Sequence, residues 1–155
     1  AAVAYVPPVP ALVRGWKERG LHRLAAPAAE LVARLLEQPA ADVITYIPPD
    51  PLRQLTRSTH PAEGLAHRLG GHWQLAVEPL LTRRAAGSTR QAGLRRAARL
   101  ANVRQAFAAS GTAPDRVVLV DDVYTTGATA TAAAAALRRA GASRVEVVTF
   151  ARAVR

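Results

Sequence analysis

Apolar positions along this chain fall first at helical spacing and later in short unbroken runs, and that change of period predicts alternating helices and strands. Pro7, Pro8 and Pro10 open an extended entry, Leu12, Val13 and Trp16 then recur on one helical face, and Gly20 gives a stop. A second helix is expected over Ala28 to Glu37, with Leu31, Leu35 and Leu36 inward. Val43 to Ile47 reads as a short buried strand, ended by Pro48, Pro49 and Pro51, which supply no ladder donors. Pro61 suits a first helical position, so His60 or Thr59 would cap a helix reaching about Leu69, with Gly70 and Gly71 after it. Leu75 to Leu81 is a strand candidate interrupted by Pro79, followed by a basic loop with Arg83, Arg84 and Arg90 and by a helical stretch from Leu94 to Val103.

The last third is the clearest. Val117 to Val120 has strand length, Gly127 to Ala140 is an alanine-rich helix closed by Gly141, and Val145 to Phe150 is another strand. A strand, helix, strand unit of this kind implies parallel strands joined by a right-handed crossover. With the upstream alternation it predicts an α/β fold, a mostly parallel sheet flanked by helices.

Composition narrows the function classes. At 155 residues the chain fits one domain over 1–155, with a single core in which alanine contributes much of the 50% hydrophobic content. The absence of cysteine excludes disulfides, thiolate zinc sites and a cysteine nucleophile, and the four histidines form no paired metal motif. No apolar run reaches the roughly 18 residues of a membrane span, and AAVAYVPPVP lacks the basic start of a signal peptide, so a cytoplasmic location is expected. The chain has no methionine, so residue 1 reads as an internal position with sequence missing upstream. A formal charge of +10 creates a field that attracts phosphates, without choosing among small molecules, nucleic acids and acidic surfaces.

Against that charge, two adjacent acids at the end of a strand invite a chemical reading. Asp121 and Asp122 stand where an open parallel sheet binds ligands, and a carboxylate pair suits a vicinal diol, a magnesium ion, or both. The segment Thr125 to Thr129 turns into a helix whose first amides lack internal partners, which makes an anion site. Ribose hydroxyls on the acids and a phosphate on the turn fit together. Either fragment alone also fits a plain strand end or a plain helix cap. No GxxxxGK[ST] precedes the acids and no GxGxxG follows a strand, so other nucleotide sites fit poorly.

VVLVDDVYTTGAT resembles the 5-phosphoribosyl-1-pyrophosphate motif of type I phosphoribosyltransferases, and QAGLRRAARLANVRQAF resembles a signature of the ComF (competence protein F) family within that superfamily. Gln91, Leu94, Arg99, Asn102, Val103, Ala106 and Phe107 carry the second match. The resemblance implies a Rossmann-like type I phosphoribosyltransferase fold, with a small N-terminal hood over roughly 1–40 and a core over roughly 41–155. It implies that Asp121 and Asp122 hold the ribose hydroxyls while Thr125, Thr126, Gly127, Ala128 and Thr129 wrap the 5-phosphate. Magnesium would ride mainly on the pyrophosphate, with Asp121 and Asp122 as further ligands. Pro49, Asp50, Arg57 and Lys17 would contact the pyrophosphate, and a loop with Arg90, Gln91, Arg99 and Asn102 would cover the site. The implied activity is transfer of the phosphoribosyl group to an unidentified acceptor with release of pyrophosphate.

The chain departs from the family where a four-cysteine zinc module commonly stands, and where the family's RGFN reads Arg57, Ser58, Thr59, His60. A second implied reading is a non-catalytic competence protein that binds nucleotides or single-stranded DNA, and dimers are common in the superfamily. His60 and His67 read as surface or cap residues, and Trp16 and Trp73 as packing residues. Tyr124 either covers the ribose or faces solvent.

Overall fold

The computed structural model describes residues 1–50, 60–84 and 106–154. In chain order the elements are β1 (Val3–Ala4), α1 (Val9–Glu18), a 3-10 turn (His22–Leu24), α2 (Ala25–Leu35), β2 (Val43–Tyr46), α3 (Pro61–Trp73), β3 (Leu81–Arg83), β4 (Phe107–Ala109), β5 (Arg116–Tyr124), α4 (Ala128–Arg139) and β6 (Arg144–Arg152). The main sheet has the order β1-β6-β5-β2 with every neighbouring pair parallel, and β3 pairs antiparallel with β4 beside it.

A parallel sheet is covered on both faces, which explains why its strands read as continuous apolar runs. Successive residues of β5 point to opposite sides. Val118 and Val120 pack with Ile44, Val148 and Phe150 under α1, α2 and α3, while Val117 and Leu119 pack with Val43, Leu137 and the alanines of α4. Leu119, Val120 and Leu137 are fully buried, each such side chain contributing about 1.5–3 kcal/mol by leaving water. Thr45, also buried, accepts a hydrogen bond from the Leu80 N–H at 3.1 Å. At the amino end of the sheet Asp42 holds β5 in register, accepting from the Arg116 backbone N–H at 2.9 Å and its guanidinium at 2.6 Å.

Several elements differ from the expectation drawn from periodicity. Helix α2 starts at Ala25, and its inner side is Ala25, Ala28, Ala29 and Val32, whereas Leu31 and Leu35 are 42% and 57% exposed. The reason is close helix packing: a Cβ on Gly64 of α3 would stand 3.4 Å from the Ala25 Cβ, so only small side chains fit between the two helices. Helix α3 does not stop at Leu69 but runs through Gly70 and Gly71 to Trp73, ending at Gln74 with φ +53. Gly70 serves a close approach, since a Cβ there would meet Val77 Cγ2 at 2.6 Å.

Leu75 to Leu81 is not one strand. Pro79 breaks it into a bridge, in which Ala76 and Glu78 pair with Ile44, and the short β3. Phe107–Ala109, unassigned from sequence, forms β4 against β3. Strand β5 runs past Val120 to Tyr124, with Asp121 opposite Thr149 and Val123 opposite Ala151, so both acids lie within the strand. The helix expected over Leu94 to Val103 lies outside the described residues. Trp16 and Trp73 are buried packing residues, as expected. Among the described residues no helix is long and apolar enough to cross a membrane.

Candidate functional site

Strand β2 ends opposite Val120, so the last turn of β5 projects past its neighbour and leaves an open step at the carboxyl end of the sheet. Asp121 and Asp122 stand on that step. A cavity of about 570 Å³ opens there, lined by both acids together with Thr125 and Thr129 from the turn into α4.

The two carboxyls meet different surroundings. Asp122 shares the face of Val118 and Val120, is buried, and has the Lys17 ammonium of α1 2.6 Å from its Oδ2. That contact is an ion pair without an aligned hydrogen bond, since Oδ2 is buried and has no hydrogen-bond partner. Asp121 points the other way and accepts the Asp122 backbone N–H at 2.9 Å. Burial, and then the neighbouring Asp122 charge, push the Asp121 carboxyl up to about 7.

The turn is built around Gly127. Its φ of +78 belongs to the left-handed region, and a Cβ there would collide with the Tyr124 hydroxyl. Tyr124 itself is held by the Ala153 N–H on its carbonyl at 2.9 Å and by the Arg152 guanidinium, 5.5 Å from its ring centre. It therefore packs on the turn, resolving the choice left by the sequence: it neither stands free in solvent nor lies in the lining of the main cavity. Thr126 Oγ1 accepts the Ala128 N–H at 3.4 Å. Thr125 and Thr126 remain exposed, and both border a second hollow between the turn and β1.

Of the pyrophosphate residues expected from sequence, Lys17, Pro49 and Asp50 line the main cavity, and Arg57 lies outside the described residues. So do Arg90, Gln91, Arg99 and Asn102. Arg83 of β3 also lines the cavity, 4.0 Å from Asp50 and over the ring of Phe107. Gly127 and Ala128 belong to the turn but do not line the main cavity.

His60 stands at the cap position expected for it and is not a surface residue. It occupies the position before α3 but makes no side-chain cap bond, and its mostly buried ring lines the same cavity. Burial lowers its pKa, the Lys17 charge adds to that, and Glu63 and Asp122 oppose it. Glu63 accepts the Tyr46 hydroxyl at 2.9 Å, and burial with that bond pushes the Tyr46 phenol up to about 12. Sequence reasoning missed this group because Tyr46 and Glu63 meet only when β2 and α3 pack. The one local signal was the three-residue spacing of His60 and Glu63, which places both on one helical face.

The sequence matches the phosphoribosyl transferase domain over residues 20–154. The chain belongs to this family. Two solved structures share the phosphoribosyl transferase fold with it at low identity. The allosteric regulatory enzyme of purine biosynthesis is 24% identical with a TM-score of 0.58, and the glutamine phosphoribosylpyrophosphate amidotransferase from B. subtilis is 23% identical with a TM-score of 0.59. Each alignment covers 83% of this chain and 26% of the other, so this phosphoribosyl transferase domain spans about a quarter of either enzyme. No curated protein matches the sequence significantly. Within the domain, the α/β fold with its parallel sheet is the expected one, and the acids of β5 stand at its carboxyl edge.

Proposed function

We propose that this phosphoribosyl transferase domain is a ComF-like transferase that binds 5-phosphoribosyl-1-pyrophosphate with magnesium and passes the phosphoribosyl group to an acceptor, releasing pyrophosphate. One observation carries the reading: the adjacent carboxyls of Asp121 and Asp122 open on the same cavity as the threonines that begin α4. Carboxylates accept the hydroxyls of a diol, and amides at a helix start take a phosphate. The nucleophile's pair closes on C1 as the bond to pyrophosphate opens, and charge grows on the leaving group. Lys17 and Arg83 line the same cavity and would be the fixed cations that act on that developing charge.

The donor set suits a ligand-borne magnesium. Among the described residues no three His, Asp or Glu side chains gather as a metal cage, and Asp122 Oδ2 faces the Lys17 ammonium at 2.6 Å, so most of the ion's ligands would come from the pyrophosphate. Magnesium is commonly held by one or two carboxylates plus phosphate oxygens, so Asp121 and Asp122 would complete its shell and the ion would neutralise the pyrophosphate.

Isothermal calorimetry with 5-phosphoribosyl-1-pyrophosphate and magnesium tests the reading. Saturable binding is expected, and replacing both acids with Asn is expected to weaken it by roughly 100- to 10,000-fold, since losing a charged hydrogen bond at each costs about 1.5–3 kcal/mol. Equal affinity in the double variant would overturn it.

A further inference from the structure

We infer that His60 is the proton acceptor for the incoming nucleophile, with Glu63 and Tyr46 as the positioning residues that hold its ring, an inference that rests on the transferase reading above.

The three side chains come from two elements and form a relay. Tyr46 donates its hydroxyl to Glu63 Oε1 at 2.9 Å, which fixes the carboxylate and leaves Oε2 3.7 Å from His60 Nδ1. That Nδ1 is buried and has no hydrogen-bond partner. The Tyr46 ring lies against the imidazole, centroids 5.8 Å apart, and the His67 ring packs 6.3 Å from the Tyr46 ring. A carboxylate facing one ring nitrogen selects the tautomer protonated there, so the lone pair belongs to Nε2. The 3.7 Å gap is of the kind that tightens when a site fills.

The ring lines the cavity that holds Asp121 and Asp122, so a base and the sugar site share one chamber. Three charged groups bear on it, Glu63 on α3, Asp122 on β5 and Lys17 on α1, and the Tyr46 ring of β2 packs beside it. Burial outweighs the two acids, which leaves a neutral imidazole ready to take a proton near pH 7.

A base has work only if the acceptor sheds a proton. The acceptor class is thus a neutral nucleophile bearing one, an amine, a ring N–H or a hydroxyl, and a carboxylate is excluded. The acceptor's lone pair forms the new bond to C1, the C1–O bond breaks with its electrons going to pyrophosphate, and the acceptor's proton moves to His60 Nε2 and on to water.

The test uses the full chain with 5-phosphoribosyl-1-pyrophosphate, magnesium and ammonium chloride, ammonia being the amine probe, and follows pyrophosphate release per unit of free ammonia against pH beside calorimetric affinity, so that the titration of ammonium itself drops out of the profile. His60→Gln is expected to lower release on the order of 100-fold with affinity kept and the acid limb of the pH profile lost. His60→Asn, with its melting curve recorded, is expected to behave alike. Glu63→Gln is expected to keep the acid limb but move it to lower pH, because the carboxylate that raises the imidazole's pKa is gone. Unchanged release or a persisting acid limb in both His60 variants overturns the inference, and so does an unaltered protein that binds the sugar phosphate yet releases no pyrophosphate with ammonia. Failure to bind the sugar phosphate at all refutes the transferase reading instead.

Discussion

Asp121 and Asp122 leave opposite faces of β5, because successive strand residues alternate, yet both line one cavity and meet different surroundings there. Asp122 meets the Lys17 ammonium in an ion pair, while Asp121 has burial and a neighbouring acid for company. The folded Asp121 carboxyl titrates at about 7 against 3.8 for the ordinary group, so between those values the folded chain holds a proton that the unfolded chain has lost. Stability from this residue is therefore full below pH 3.8 and is lost as pH rises through about 7. Asp121→Asn mimics the protonated form. Scanning calorimetry is expected to show its Tm above that of the unaltered protein by roughly 5 °C at pH 8, the difference vanishing toward pH 3. A higher Tm for the unaltered protein at pH 8 would contradict this. The acids and threonines were legible in sequence because the whole motif lies within nine residues, Asp121 to Thr129. The proposed part of His60 was not, since Tyr46 comes from β2 and Lys17 from α1, and only Glu63 is near it along the chain.

At the scale of elements, the join between β5 and α4 carries the proposed phosphate site, and Gly127 governs its shape for two independent reasons. Its backbone is left-handed, and the Tyr124 side chain fills the space a Cβ needs. Gly127→Ala is expected to cost on the order of 1–3 kcal/mol from backbone strain. Denaturant melts measure that cost. Because Tyr124 must move as well, phosphate binding is expected to weaken in the same variant, which titration with ribose 5-phosphate detects. Wild-type stability together with wild-type affinity would show that the turn has slack. Periodicity located α1, β2 and the β5-α4-β6 unit, yet misread the inner face of α2. Leucines usually mark a buried stripe, but α2 and α3 come so close that alanine and glycine occupy their contact while Leu31 and Leu35 face outward. Gly70 misled for a related cause: it allows the Val77 segment to approach and does not end the helix.

For the whole molecule, the net charge of +10 draws polyanions from a distance. The affinity for 5-phosphoribosyl-1-pyrophosphate is expected to fall as salt rises from 50 to 500 mM, on the order of 10-fold, because screening shortens the reach of surface charges while the buried contacts persist. Salt-independent affinity would remove long-range attraction from the account. Single-stranded DNA needs exposed rings on which bases stack. Trp16, Trp73, Phe107 and Phe150 are core residues here, and Tyr5, Tyr46 and Tyr124 are half-buried, which favours the small-molecule ligand.

The sequence by itself determined the α/β alternation, the parallel unit at the carboxyl end and the run of acids, threonines and glycine from Asp121 to Thr129, since each depends on residues close along the chain. Tertiary structure alone decided which face of α2 is buried, that Lys17 reaches Asp122, and that Tyr46 and Glu63 flank His60 in the same cavity. These are contacts between distant segments. Packing geometry sets them, and no local period or spacing encodes how closely two helices approach or which side chains a sheet edge brings together.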